Sequence, residues 1–469
     1  MKPLKTFLCV ICVIIFLTKT AFAATFLEVG HPLYDSLLFL EAAGCLKSAL
    51  LNTLPLSRRE ILRLLEEAET CSSSNFSMIF RTYLLRLRSL GEFDPLVSYF
   101  RPLDEMKTGI LVGDFSAPLK ERIHNRDGFK ARDGLNFWVQ TVLRAEGKSF
   151  SLLFSPTWEY TGRGQRLFLS QGYLVFTKDK LSFLTGRISQ WWGPVRNGAL
   201  LLSNNAYPLD LFLVTNEHPF LWRGDLFRFV FFVTRLEKRR AVPHPYLWGL
   251  RLDWKPLPCF EMGISRTAFL GGKDYGPSKK TWFKSFLGMG GRITKEPIDQ
   301  LVAFDIKITS KVSRIPFQLY GEFGREDLAG NLWKRWAWSG GIYFPLLLPN
   351  GYLSWRMEYT RTPEDWGKHH LYRNGYTYKG QGIGHYLTRN GRAIFTSLVY
   401  QLPFWQSEVS LNGEEAKGSF LGKEKKISLK IRRLGWQGIL GLEIGYLKVW
   451  EKEDTRGSPF LEVSFSLRW

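Results

Sequence analysis

The sequence predicts an all-β transmembrane barrel of about eighteen antiparallel strands behind a small N-terminal α-helical domain. Three observations predict it. From about Gly109 onward the chain alternates apolar and polar residues in one segment after another. The chain is rich in aromatic residues, with 36 Phe, 18 Tyr and 17 Trp, yet its mean hydropathy is only −0.13. Beyond the N-terminus no run of eighteen apolar residues occurs, so any membrane crossing must be made by strands.

The first residues set the compartment. Lys2 and Lys5 precede an apolar stretch from Phe7 to Leu17, and Ala21-Phe22-Ala23 offers a small-residue cleavage site before Ala24. Residues 1–23 read as a secretory signal peptide. Cys9 lies inside the apolar stretch and not at its end, which argues against a lipoprotein anchor. Cleavage removes Lys2, Lys5 and Lys19 and no acid, so the formal charge of +21 falls by three. Only Cys45, Cys71 and Cys259 then remain, which excludes a disulfide-rich scaffold. Cys45 and Cys71 either bridge neighbouring helices in an oxidising periplasm or stay buried as thiols.

Residues 24–105 form the predicted helical domain, a plug or periplasmic base. Leu33, Leu37, Leu38, Leu40 and Ala43 recur at helical spacing behind Pro32, and Gly44 ends that helix. Ser57 and Glu60 make a capping box for a second helix, with Ile61, Leu62, Leu64 and Leu65 on its apolar face and Glu66, Glu67 and Glu69 on its wet side. A third helix is expected from about Phe76 to Leu90, stopping at Gly91.

Residues 106–469 form the predicted barrel. At the C-terminus Leu461, Val463, Phe465, Leu467 and Trp469 face one way, and Glu462, Ser464, Ser466 and Arg468 the other. Leu250, Leu252 and Trp254 alternate with Arg251 and Asp253, and Trp355, Met357 and Tyr359 with Arg356 and Glu358. The same pattern fills Lys426–Arg432 and Leu440–Tyr446. A soluble β-sandwich also alternates. Full charges on the second face suit a wet lumen, aromatic residues near strand ends suit interfacial girdles, and a terminal aromatic suits recognition by the barrel-assembly machinery.

The charges bound the function. Arg251, Arg356, Lys426, Lys430, Arg432 and Arg468 point inward, mixed with Asp253, Glu358, Glu443 and Glu462. A lumen or mouth of positive sign concentrates anions. Outside the cell nucleic acid is excluded as a partner, which leaves acidic surface polysaccharide, or outer-membrane lipid phosphates that simply absorb the excess Lys and Arg. No zinc-ligand spacing, nucleophile elbow or Walker sequence is present, so no metal, cofactor or catalytic residue is expected. Gly380-Gln381-Gly382-Ile383-Gly384 lacks the helix a phosphate loop requires.

Gly186-Arg187-Ile188-Ser189-Gln190-Trp191-Trp192-Gly193-Pro194, followed by Leu200-Leu201-Leu202-Ser203-Asn204-Asn205-Ala206, resembles the capsule-assembly Wzi family. Leu319-Tyr320-Gly321-Glu322 with Glu326-Asp327, and Gly380-Gln381-Gly382-Ile383-Gly384-His385, are similar to two further segments of that family. The resemblance covers nearly the whole mature chain. It departs at Val195, where the family often has a small residue, and at Asn390, where an acid is expected. It implies an outer-membrane, lectin-like barrel that binds capsular polysaccharide without catalysis and aids capsule assembly. The candidate polysaccharide-binding residues are Trp191, Trp192, Ser203, Asn204, Asn205, Glu322, Glu326, Asp327 and His385. Each has a plainer reading. The tryptophans suit packing, Asn204 and Asn205 suit a turn in left-handed geometry, and His385 suits a structural hydrogen bond. The acids also suit a glycosidase pair. A porin-like channel for anionic solutes and a polysaccharide-modifying enzyme are the alternative functions.

Overall fold

The computed structural model describes residues 23–71, 98–116, 123–162, 164–273, 275–288, 298–313, 315–326, 336–348, 351–402, 406–419, 422–435, 438–450 and 455–469. The expected third helix, Asp327 and nearly all of the signal peptide fall outside them.

Among the described residues eighteen antiparallel strands close into a barrel. They are Tyr99–Gly113, Gly134–Glu146, Phe150–Thr161, Gly164–Lys178, Leu181–Ile188, Leu209–Asn216, Asp225–Arg235, Tyr246–Leu257, Phe260–Leu270, Ile298–Val312, Ile315–Glu326, Ala337–Leu348, Gly351–Thr362, Gly391–Leu402, Ser407–Gly418, Gly422–Leu434, Gly438–Trp450 and Thr455–Arg468. Closure joins first strand to last, in a register running from Glu105 opposite Arg468 to Gly113 opposite Phe460. The pleat sorts side chains as the alternation requires. Leu461, Val463 and Phe465 are exposed on the outer wall, and Ser458 and Glu462 are buried inside.

The two ends differ. One carries tight turns, such as Gly147–Ser149, Asp179–Lys180 and Pro258–Cys259. The other carries the long connections 114–133, 189–208, 236–245, 271–297 and 363–390. In outer-membrane barrels short turns face the periplasm and long loops face outward.

Helix α1 spans Leu33–Ala42 and α2 spans Arg58–Glu69. Gly44, at φ +87°, follows α1, and the Ser57 hydroxyl accepts from the Glu60 amide at 3.1 Å to start α2. The Glu60 carboxylate, at 2.6 Å from Arg63 and 2.8 Å from His218, ties α2 to the short-turn end of the barrel. Cys45 and Cys71 are disulfide-bonded, with Cα atoms 5.3 Å apart. Helix α1 and the stretch from Asn52 to Pro55 reach inward-facing wall residues, which supply their polar partners, while α2 meets the short-turn end. The third helix, α3 at Lys279–Phe286, lies in the 271–297 connection.

Candidate functional site

Some inward charges of the barrel wall pair with the N-terminal segment, and others pair within the wall. Lys255 and Lys307 hold the Glu41 carboxylate of α1 at 3.0 and 2.8 Å, and Lys307 also meets Glu261 at 2.8 Å. Arg251, fully buried, bridges Asp305 and Asp253 at 2.7 Å each. The same pair of acids takes the Thr53 hydroxyl and the Asn52 amide at 2.6 and 3.1 Å. Arg228 donates to the Thr53 and Pro55 carbonyls at 2.7 and 2.8 Å. Arg251 and Asp253, which look solvated in the sequence, are thus paired and buried.

Burial alone would raise the Glu41 carboxyl, but Lys307 and Lys255 outweigh it and hold it down to about 2 from 4.5. A depressed carboxyl stabilises docking above its unfolded value and loses that contribution as pH falls through the folded one. The N-terminal segment is therefore expected to stay docked above about pH 4.5 and to become protease-accessible as pH approaches about 2. Limited proteolysis across that range checks this, and Glu41→Gln should flatten the profile.

The second occupant of the lumen is the 189–208 connection. Trp191 and Trp192 pair with Leu54 and Thr53 as a two-residue sheet, and the Gly193 amide donates to the Asn52 carbonyl at 2.8 Å. Trp192 is fully buried, with Phe232 at 5.4 Å between ring centroids. Trp191 packs on the apolar residues of the N-terminal segment, and its indole donates to the Val195 carbonyl at 3.1 Å. Both rings fill space between the segment and the loop. Gly193 sits at φ +143° where an added Cβ would lie 2.8 Å from a Glu322 oxygen, so glycine is required.

Two wall carboxylates catch this loop by its backbone. Glu322 accepts the Leu200 amide at 3.1 Å. Glu358 accepts the Arg196 and Asn197 amides at 3.0 and 2.8 Å and the Tyr320 hydroxyl at 2.7 Å. Glu326 stands four residues along the strand from Glu322, about 13 Å at 3.3 Å per residue. That spacing is between backbones, and Asp327, the third acid of the set, lies outside the described residues.

The mouth is locked by three connections. The Ser203 hydroxyl donates to the Gly384 carbonyl at 2.7 Å, and the Asn205 amide to the Gly382 carbonyl at 3.1 Å. The Asn204 side chain donates to the Asn125 carbonyl at 3.1 Å, and its own carbonyl accepts from the Asp127 amide. Neither asparagine has the positive φ that a left-handed turn would give. They serve as bridges between loops. Gly384 approaches so closely that an added Cβ would lie 1.9 Å from the Leu200 carbonyl oxygen.

Beside these locks lies a cavity of about 520 Å³ lined by Asn205, Trp366, Arg373, Tyr376, Gln381, His385 and Arg389 among others. Burial, with a smaller contribution from nearby His124, holds His385 down to about 3, so its ring is neutral. Its Nδ1 accepts from the Leu387 amide at 3.2 Å, which leaves the proton on Nε2. That nitrogen is buried with no hydrogen-bond partner among the described residues. The cavity brings together His385 and Asn205 of the expected set. Trp191, Trp192, Ser203, Asn204 and Glu322 lie outside it as packing and locks. Trp366, Arg373 and Arg389 were missed in the sequence, since an irregular loop carries no periodicity to mark them. A smaller cavity of about 320 Å³ remains beside α1, between Asp35, Arg356, Lys430, Arg432 and Glu443.

A model of the capsule assembly protein Wzi family matches residues 111–432, more than half of the chain. The chain belongs to that family. A closed barrel with an apolar outer wall in the Wzi family is an outer-membrane protein. A solved structure of Escherichia coli Wzi, described as an outer-membrane carbohydrate-binding β-barrel involved in group 1 capsule assembly, superposes with a TM-score of 0.77 at 20% identity. That alignment covers 95% of this chain and 100% of the other. An uncharacterized 55.8 kDa protein in the cps region of Klebsiella pneumoniae is 27% identical over 334 residues, which are 69% of this chain and 62% of that relative's length. The Wzi match begins inside the first strand and takes in the Trp-Trp-Gly-Pro loop, both loop-catching glutamates and the mouth cavity.

Proposed function

We propose that this protein is a non-catalytic binder of an acidic surface polysaccharide, capsular or similar, which it holds at the long-loop mouth to aid capsule assembly and attachment. The observation that carries the reading is the mouth cavity, where Trp366 and Tyr376 stand with Arg373, Arg389 and neutral His385. Flat aromatic faces suit sugar rings, and guanidinium groups suit the carboxylates of acidic residues in the polymer. The carbohydrate binding described for the Escherichia coli structure and the cps-region origin of the Klebsiella relative support it. The expected partners are the polymer, outer-membrane lipids around the wall, and the barrel-assembly machinery. A channel for anionic solutes is disfavoured by a lumen occupied from both ends. Arg373→Ala and Arg389→Ala should each weaken acidic-polymer binding about tenfold, one charge-assisted contact being worth about 1.5–3 kcal/mol. Titration calorimetry on the folded variants checks this, and unchanged affinity in both would move the site elsewhere.

A further inference from the structure

The outer wall carries a helix of its own. Strand parity puts Phe231, Val233, Tyr246, Trp248, Ala268 and Leu270 on the outside of the barrel, in line with exposed Leu250, Leu252, Trp254 and Ile264. Trp248 is nevertheless only 1% exposed, because α3 lies against it. Phe286 packs at a tilt against Trp248, with ring centroids 4.8 Å apart, and Trp282 meets Tyr246 edge-on at 5.6 Å. The Trp248 indole donates to the Ser285 hydroxyl at 2.8 Å. Arg266, also outward, donates to the Ser285 and Phe286 carbonyls at 2.6 and 3.0 Å and so satisfies the C-terminal end of α3. Ser278 caps the other end through the Thr281 amide at 3.1 Å. An eight-residue helix has little stability in isolation. Here both ends are capped, and one face and the C-terminal end are held by the lipid-facing wall.

The opposite face is bare and two-toned. Phe283 is 63% exposed, with Phe286 and Leu287 exposed beside it. Lys279 and Lys280 are exposed and Lys284 half-buried, and from Tyr275 to Gly288 the segment holds no acid. Arg235 adds a further cation, 5.8 Å over the Tyr246 ring. Apolar side chains bordered by lysines, held against a barrel wall at the long-loop end, match the boundary between acyl chains and headgroups.

We propose that α3 is a docking helix for an anionic, phosphate-bearing lipid of the outer leaflet. Acyl chains cover Phe283, Phe286 and Leu287, and the lipid phosphates sit against Lys279, Lys280 and Lys284. Charge complementarity selects this occupant over a neutral lipid, and the lipid-facing position selects it over a soluble anion.

The test uses the full-length folded protein in a nonionic detergent. The probes are a bisphosphorylated outer-leaflet glycolipid (lipid A), its dephosphorylated form and phosphatidylcholine, with retained lipid counted by native mass spectrometry. The wild type should retain the bisphosphorylated probe preferentially. Lys279→Gln/Lys280→Gln/Lys284→Gln should lower that retention about a hundredfold, each lysine near a charged lipid surface being worth about fivefold. Phe283→Ser/Leu287→Ser should lower retention of all three probes. Both variants should keep the heat-modifiable gel mobility of a folded barrel. Equal retention of the three probes by the wild type, unchanged retention by the lysine variant, or a dimer that Phe283→Ser/Leu287→Ser abolishes would overturn the proposal.

Discussion

Arg251→Met is expected to destabilise the barrel by about 3–5 kcal/mol and to unseat the N-terminal segment. The guanidinium sits between Asp253 and Asp305, all three fully buried, and its Nε also donates to the Thr53 hydroxyl. Methionine fills most of the volume but leaves two carboxylates within a dry wall without their cation. Breaking one partner of a buried network costs far more than the network contributes over a neutral replacement. Arg251→Met/Asp253→Asn/Asp305→Asn should therefore recover most of the loss. Urea midpoints read by heat-modifiable gel mobility compare the two, and a single variant as stable as wild type would contradict the pairing.

Glu358→Ala is expected to convert a closed barrel into one with stepwise openings in planar bilayers. The carboxylate holds the Arg196 and Asn197 amides and the Tyr320 hydroxyl, all at 3.0 Å or less. Each such bond to a charged group is worth about 1.5–3 kcal/mol, and alanine leaves the loop amides without acceptors. The 189–208 loop then loses its hold on that side of the wall while Glu322 still grips Leu200. Glu358→Gln, which keeps one acceptor oxygen, should open less often. Conductance indistinguishable from wild type in both variants would mean that the loop is held by its apolar packing alone.

The wall of this molecule was legible because a strand writes its two environments into alternate residues. Leu250, Leu252 and Trp254 against Arg251 and Asp253 were enough to phase a strand and assign its wet side. Ser57 and Glu60 marked a helix start for an equally local reason. The contents of the lumen were not legible. Whether Arg251 faces water or Asp305 depends on a residue 54 positions away and two strands over, and whether Trp192 meets a sugar or Phe232 depends on how a loop folds inward. The Trp-Trp-Gly-Pro and Ser-Asn-Asn stretches stood out as chemistry, and here they serve to join loop to segment and loop to loop. The mouth cavity drew on His385 and Asn205 but took its charged lining from Arg373 and Arg389, which sit in an irregular connection with no spacing to single them out.

The most direct measurement is equilibrium binding of the purified wild-type barrel to the organism's own acidic surface polymer at physiological salt, with the carboxyl-reduced polymer as control and chain length determined before and after. Binding to the acidic form, weak binding to the reduced form and unchanged chain length are the predicted result. No preference between the two polymers, or shortened chains after incubation, would contradict the account.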